Sequence, residues 1–162
     1  MKDELLKIIK YILKEYPKLD ELSKPRLVKL IYLIDWKHAL ETGEQLTDIK
    51  WVNNHYGPYV EDIIELIKER NDIFLLDSYR NRYGKITDKI KLVNKLESIE
   101  VGENKEIIDF IINKTNHFKW SDFMDIVMST YPVQSYQRYT ELDLSEDAKK
   151  YNKLRSTSAN TV

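Results

Sequence analysis

LVKLIYLIDWKHALETGEQLTDIKWVNNHYGPY, residues 27–59, carries more structural information than any other stretch of the chain. Leu27, Leu30, Ile31, Ile34 and His38 recur at helical spacing, and Tyr32, Leu33 and Trp36 widen the apolar surface, which predicts a helix central to the fold. Ser23 stands where a cap is needed, and Pro25 falls in the first turn, where a missing N–H costs nothing. Gly43 is the expected terminator. Ile49–Tyr56 has no helical stripe and reads as a strand or extended segment. Gly57-Pro58 then reads as a turn opening a third helix, with Val60, Ile63, Ile64 and Ile67 facing inward.

Outward from this stretch, Asp3 can cap a first helix to about Tyr16, with Leu5, Ile8, Ile9, Ile12 and Tyr16 on one stripe. Ile73–Tyr79 and Lys85–Val93 read as two strands of a hairpin, because Asn81 and Gly84 tolerate turn geometry. A fourth helix is expected over Asn104–Thr115 and a fifth capped by Ser121 and stopping before Pro132. A short last helix is expected from Ser145. The prediction is a mainly α (α+β) fold, a compact domain of about five to six helices with a small antiparallel β-hairpin. Residues 1–155 are expected to form a single helical domain and 156–162 a polar flexible tail.

The composition sets limits on function. The chain has 162 residues, 42% of them hydrophobic and 33% charged, a makeup that supports one core with a heavily charged surface. A net charge of −1 gives no global attraction to nucleic acid or to an anionic membrane. The absence of cysteine excludes disulfides, thiolate metal sites and cysteine nucleophiles, and agrees with a reducing cytoplasm. No apolar run approaches the roughly 20 residues of a membrane span, so no membrane association is expected.

Few residues offer catalytic chemistry. Asp35 and His38 are three apart on a helix and can project to one spot, where His55 would complete a metal-binding cluster. The reading preferred over a metal cluster is that Asp35 orients or caps a neighbour while His38 makes one structural hydrogen bond. Four isolated glycines form no phosphate loop, and no nucleophile elbow is present. No enzyme, cofactor or metal is expected.

Two regions suggest partners. Between Tyr79 and Lys95, Arg80, Arg82, Lys85, Lys89, Lys91 and Lys95 face only Asp88, a local charge of +5, with Tyr79 and Tyr83 interleaved. Such a hairpin can contact nucleic acid through Arg80, Arg82 and Lys85 in the manner of a winged helix. Lysines along a two-stranded edge also serve to block aggregation. In addition, Tyr131, Tyr136 and Tyr139 fall in TYPVQSYQRYTELDL, either as an exposed protein-binding cluster or folded back over the helices.

The order Lys29-Leu30-Ile31-Tyr32-Leu33-Ile34-Asp35, His38, Gly43, Thr47 and Gly57-Pro58 resembles the Panacea domain of SocA-like antitoxins. Thr130-Tyr131-Pro132 and Leu142-Asp143-Leu144 extend the resemblance, which runs from about Leu5 to Tyr151. It implies a prokaryotic or phage antitoxin, in the cytoplasm, that neutralises a cognate toxin by direct protein–protein binding. Some relatives act as adaptors that hand the toxin to a protease. Tyr32, Asp35, Trp36, His38, His55 and Tyr56 are the partner-binding candidates, with Asp35 and His38 read alternatively as internal supports for the Gly57-Pro58 turn. A nucleic-acid-binding regulator using the basic hairpin is the alternative function.

Overall fold

The computed structural model describes residues 2–159. Among them are seven α-helices and two small antiparallel sheets, and the chain divides into two compact units. The first unit comprises the chain up to Ile31 together with Glu61–His117; the second comprises Tyr32–Val60 and the chain from Phe118 onward. No helix is long and apolar enough to cross a membrane among the described residues.

In the first unit, α1 (Lys2–Glu15) opens with Asp3 and Glu4 and closes with Lys14, charges that complement the helix dipole. Asp3 therefore lies in the first turn and is not the cap. Ile8, Ile9 and Ile12 are fully buried, each contributing about 1.5–3 kcal/mol by leaving water. The N-terminal half of α2 (Lys24–Thr42) belongs to this unit, and the Arg26 N–H reaches Ser23 Oγ at 3.3 Å, as the cap reading requires. Arg26 also donates from Nη2 to the Thr115 carbonyl at the end of α4 (Lys105–Thr115), 2.8 Å away. A cation at a helix C-terminus is favourable there.

The remainder of this unit is α3 (Asp62–Glu69) and the hairpin of β3 (Phe74–Arg80) with β4 (Ile86–Leu92). The strands pair from Phe74↔Leu92 to Arg80↔Ile86. Phe74, Ile90 and Leu92 are buried, whereas residues 77–80 and 82–86 are exposed, so the hairpin's far half leaves the core as an arm. The hairpin agrees with its expected place to within a residue at most ends.

The second unit departs more from expectation. After Gly43, at φ +86°, β1 (Val52–Asn54) turns through His55-Tyr56 and returns as β2 (Gly57–Tyr59), paired Asn54↔Gly57 and Asn53↔Pro58. Gly57-Pro58 thus does not open a helix; α3 begins at Asp62. Gly57 has φ +90°, a conformation that a side chain would strain. Pro58 is tolerated because β2 is an edge strand in the order β2-β1-β5.

The TYPVQSYQRYTELDL segment, for which the sequence suggests no element, holds α6 (Tyr131–Ser135) and β5 (Thr140–Glu141), after α5 (Trp120–Ser129). Pro132 occupies the first turn of α6 and does not merely end α5. Ser121 lies inside α5, whose cap position is Lys119. The last helix, α7 (Leu144–Ala159), is 16 residues long, not short, and runs through much of the expected tail; residues 160–162 lie outside the described residues.

Candidate functional site

The C-terminal half of α2 places Tyr32, Asp35 and Trp36 at positions i, i+3 and i+4, one helix face. All three are buried, Tyr32 and Asp35 completely. The Asp35 carboxylate is the organising group. Its Oδ1 accepts from the Thr47 backbone N–H at 2.9 Å, and its Oδ2 accepts from Thr47 Oγ1 at 2.6 Å and Trp51 Nε1 at 2.8 Å. Burial pushes this carboxyl up to about 6, against the downward pull of the three hydrogen bonds and of His38.

Trp51, with no exposed surface, meets the Tyr32 ring edge-on at 5.5 Å, and the Tyr32 hydroxyl shares a hydrogen bond with Thr130 Oγ1 at 2.8 Å. Burial drives the Tyr32 hydroxyl's pKa well above its usual range, so it stays protonated. Trp36 packs its ring against Tyr151 at 6.0 Å. His38 faces the end of its own helix: Nδ1–H donates to the Glu44 carbonyl at 2.7 Å, because a carbonyl can only accept.

These contacts fix the chain at Thr47 and Trp51, immediately before β1. The turn beyond β1 and the residues before β5 carry exposed aromatic groups, and Trp120 of the same unit is 45% exposed as well. Tyr56 is 76% and Tyr139 73% exposed. The His55 ring stands edge-to-face on Tyr56 at 4.6 Å, and Arg138 Nη1 donates to His55 Nδ1 at 3.0 Å. Tyr139 has φ +64°, the one positive φ outside glycine among the described residues. The left-handed region costs a side-chain-bearing residue about 1–2 kcal/mol. Asn53 holds it there: its carbonyl accepts the Tyr139 N–H, and its Nδ2 donates to the Tyr136 carbonyl at 3.1 Å. Backbone strain that the surroundings enforce is concentrated at functional sites.

Asp35, His38 and His55 do not assemble into one site. Asp35 is saturated by Thr47 and Trp51, His38 closes the turn after α2, and His55 sits in the hairpin turn. No group of three or more His, Cys, Asp or Glu side chains could hold a metal among the described residues. Of the tyrosine cluster, Tyr131 and Tyr136 are half-buried, with Tyr131 against Tyr151 at 5.6 Å, and only Tyr139 is widely exposed.

Arg138 is absent from the sequence-based candidates. Nothing in its neighbourhood marks it, since its meeting with His55 depends on β5 pairing with β1 (Val52↔Glu141, Asn53↔Thr140). Trp51 as the partner of Asp35 is equally silent in the sequence. In the first unit, a cavity of about 400 Å³ is lined by Tyr11, Lys105 and Asp109 among others. These three are engaged with one another: Tyr11 Oη donates to Asp109 Oδ1 and Lys105 Nζ to Oδ2, both at 2.6 Å. Burial and the Asp109 carboxylate push the Tyr11 hydroxyl up to about 12, which leaves it a poor nucleophile or base.

The buried Asp35 carboxylate thus anchors Thr47 and Trp51 ahead of the edge that exposes His55 and Tyr56. Residues 27–132 match the family described as antitoxin SocA-like, Panacea domain, and the chain belongs to that family. The match includes Asp35, Thr47, Trp51, His55 and Tyr56; it starts after α1 and ends before Arg138 and Tyr139, short of the Leu5–Tyr151 span expected. No curated protein and no solved structure matches the chain.

Proposed function

We propose that this chain neutralises a cognate toxin by direct protein–protein binding and is not an enzyme. The observation that carries the reading is the exposed edge of the second unit, where Tyr56, Tyr139, His55 and Arg138 stand on a strained, hydrogen-bonded support. Tyrosine and arginine are the side chains that most often dominate interface energetics. Membership of the antitoxin family supplies the class of partner. In this reading Tyr32, Asp35, Trp36 and His38 are positioning residues, and His55 and Tyr56 touch the toxin. Because half of the edge lies beyond the family-matched residues, Arg138 and Tyr139 are suited to adjust partner choice without altering the framework.

The test is co-expression with the protein encoded by the neighbouring gene, scored by growth rescue and by calorimetry of the purified pair. Tyr56→Ala with Tyr139→Ala is expected to weaken binding at least about 30-fold, the effect of losing roughly 2 kcal/mol at a hot spot. Unaltered rescue and affinity in a folded double variant would refute this surface. Rescue that requires a host protease, with tight binding retained, would assign the adaptor mode in place of direct blocking.

A further inference from the structure

We propose that the β3–β4 arm binds single-stranded nucleic acid, its cations following the phosphates and Tyr83 stacking on a base. This does not rest on the antitoxin reading, since it concerns other residues in the other unit. From Tyr79 to Thr87 the arm holds Arg80, Arg82 and Lys85 and no acidic residue, while the chain outside Tyr79–Lys95 carries a net −6, given −1 for the whole and +5 for that segment. Nearer the core, Lys89 is neutralised by Asp20 at 2.9 Å, and the segment's one acidic residue, Asp88, pairs with Lys24 of α2. No ion pair engages Arg80, Arg82 or Lys85 among the described residues. The projecting end thus carries three cations outside any ion pair with no acidic residue among them.

The tip is built, not loose. Asn81 Oδ1 accepts the N–H groups of Tyr83 (2.9 Å) and Lys85 (3.0 Å), and Arg80 Nη1 donates to the Gly84 carbonyl at 2.9 Å. Gly84, at φ +78°, supplies the left-handed residue that this turn needs. Preorganisation reduces the ordering cost of binding. Arg82 and Lys85 lie in the turn and outside the paired ladder, so protecting a strand edge from aggregation does not account for them.

The rings select among anionic partners. Tyr83 is 80% exposed, with the Arg82 guanidinium 5.2 Å from its ring centre, and Ile86 is exposed beside them. An aromatic–arginine pair offers a surface to an unstacked base, which a duplex keeps inside its stack and an acidic peptide lacks.

Fluorescence anisotropy with a labelled oligothymidylate tests the assignment on the full chain. Three phosphate contacts predict a log–log salt slope of about −2, an affinity loss of about fifteenfold between 50 and 200 mM salt. Combined Arg80→Ser, Arg82→Ser and Lys85→Ser is expected to lower affinity more than about tenfold at low salt and to flatten that slope. Tyr83→Ala should weaken binding about tenfold while leaving the slope unchanged. The proposal is overturned by any of three results: no binding at low salt, equal binding by the triple variant with its fold intact, or duplex bound as tightly as single strand. Displacement by polyglutamate as effective as by unlabelled oligonucleotide would assign the arm to an acidic protein and likewise overturn it.

Discussion

The two sheets are built on opposite plans. The β3–β4 hairpin is made from one continuous stretch, with ladder and turn bonded within Phe74–Leu92. The β2-β1-β5 sheet joins residues near 52 to residues near 141, and its central strand follows a loop tied to a buried carboxylate on α2. The first sheet depends on local turn chemistry and exposes charge. The second depends on burial and exposes Tyr56 and Tyr139, as the first exposes Tyr83 among its charges. The comparison teaches that a surface made by local bonds tolerates change in its side chains, whereas a surface made by distant segments fails when one interior group is removed.

Removing Asp35 is the hardest test of that contrast. Asp35→Ala would orphan three buried donors, the Thr47 N–H, the Thr47 hydroxyl and Trp51 Nε1–H. At about 1–3 kcal/mol for each unsatisfied group, a loss of at least about 3 kcal/mol in stability is expected, read by urea unfolding. A change below about 1 kcal/mol would break the comparison.

Proton linkage sharpens it at a smaller scale. The Asp35 carboxyl, held at about 6 in the fold, titrates near 3.9 when unfolded. Between those values the folded state binds the extra proton, so this group's contribution to stability is fully present below about pH 4 and is lost as pH rises through 6. The loss amounts to about 2–3 kcal/mol, and Asp147, also raised by burial, acts in the same direction. Urea midpoints from pH 4.5 to 7.5 should show this fall in the native chain and a shallower one in Asp35→Asn; parallel profiles would remove Asp35 as the cause.

Smaller still, Tyr139→Gly should stabilise the second unit by about 1 kcal/mol by relieving the positive φ, yet weaken partner binding. Stability and binding would then change in opposite directions, as expected of a strained binding residue. At the other extreme, the triple substitution of Arg80, Arg82 and Lys85 by Ser should leave stability within about 0.5 kcal/mol, because the three side chains are exposed. A larger thermal shift would show that the arm is not locally self-sufficient.

The same contrast explains what could be read from the sequence. The β3–β4 strands, α2 with its Ser23 cap and Gly43 stop, and α4 follow from periodicity and turn residues, which are local signals. Gly57-Pro58 was ambiguous because Pro is equally at home in a helix's first turn and on an edge strand. Only the pairing of β1 with both β2 and β5 decides between them. The candidates His55 and Tyr56 emerge exposed and Tyr32 and Asp35 buried, a division that the 3.6 period cannot make on a helix apolar nearly all round. Arg138 joins His55 through β5, a strand of two residues that is too short to leave a pattern.

The β1–β5 pairing also bears on how the molecule is made. Thr140 and Glu141 are synthesised long after the helix and hairpin that carry the family's characteristic residues. A ribosome that stalls, or a protease that cuts, before Tyr136 therefore leaves a polypeptide with the framework of this family but with only the His55-Tyr56 half of its exposed edge. The exposed edge is therefore completed only after the family's characteristic residues have all been synthesised.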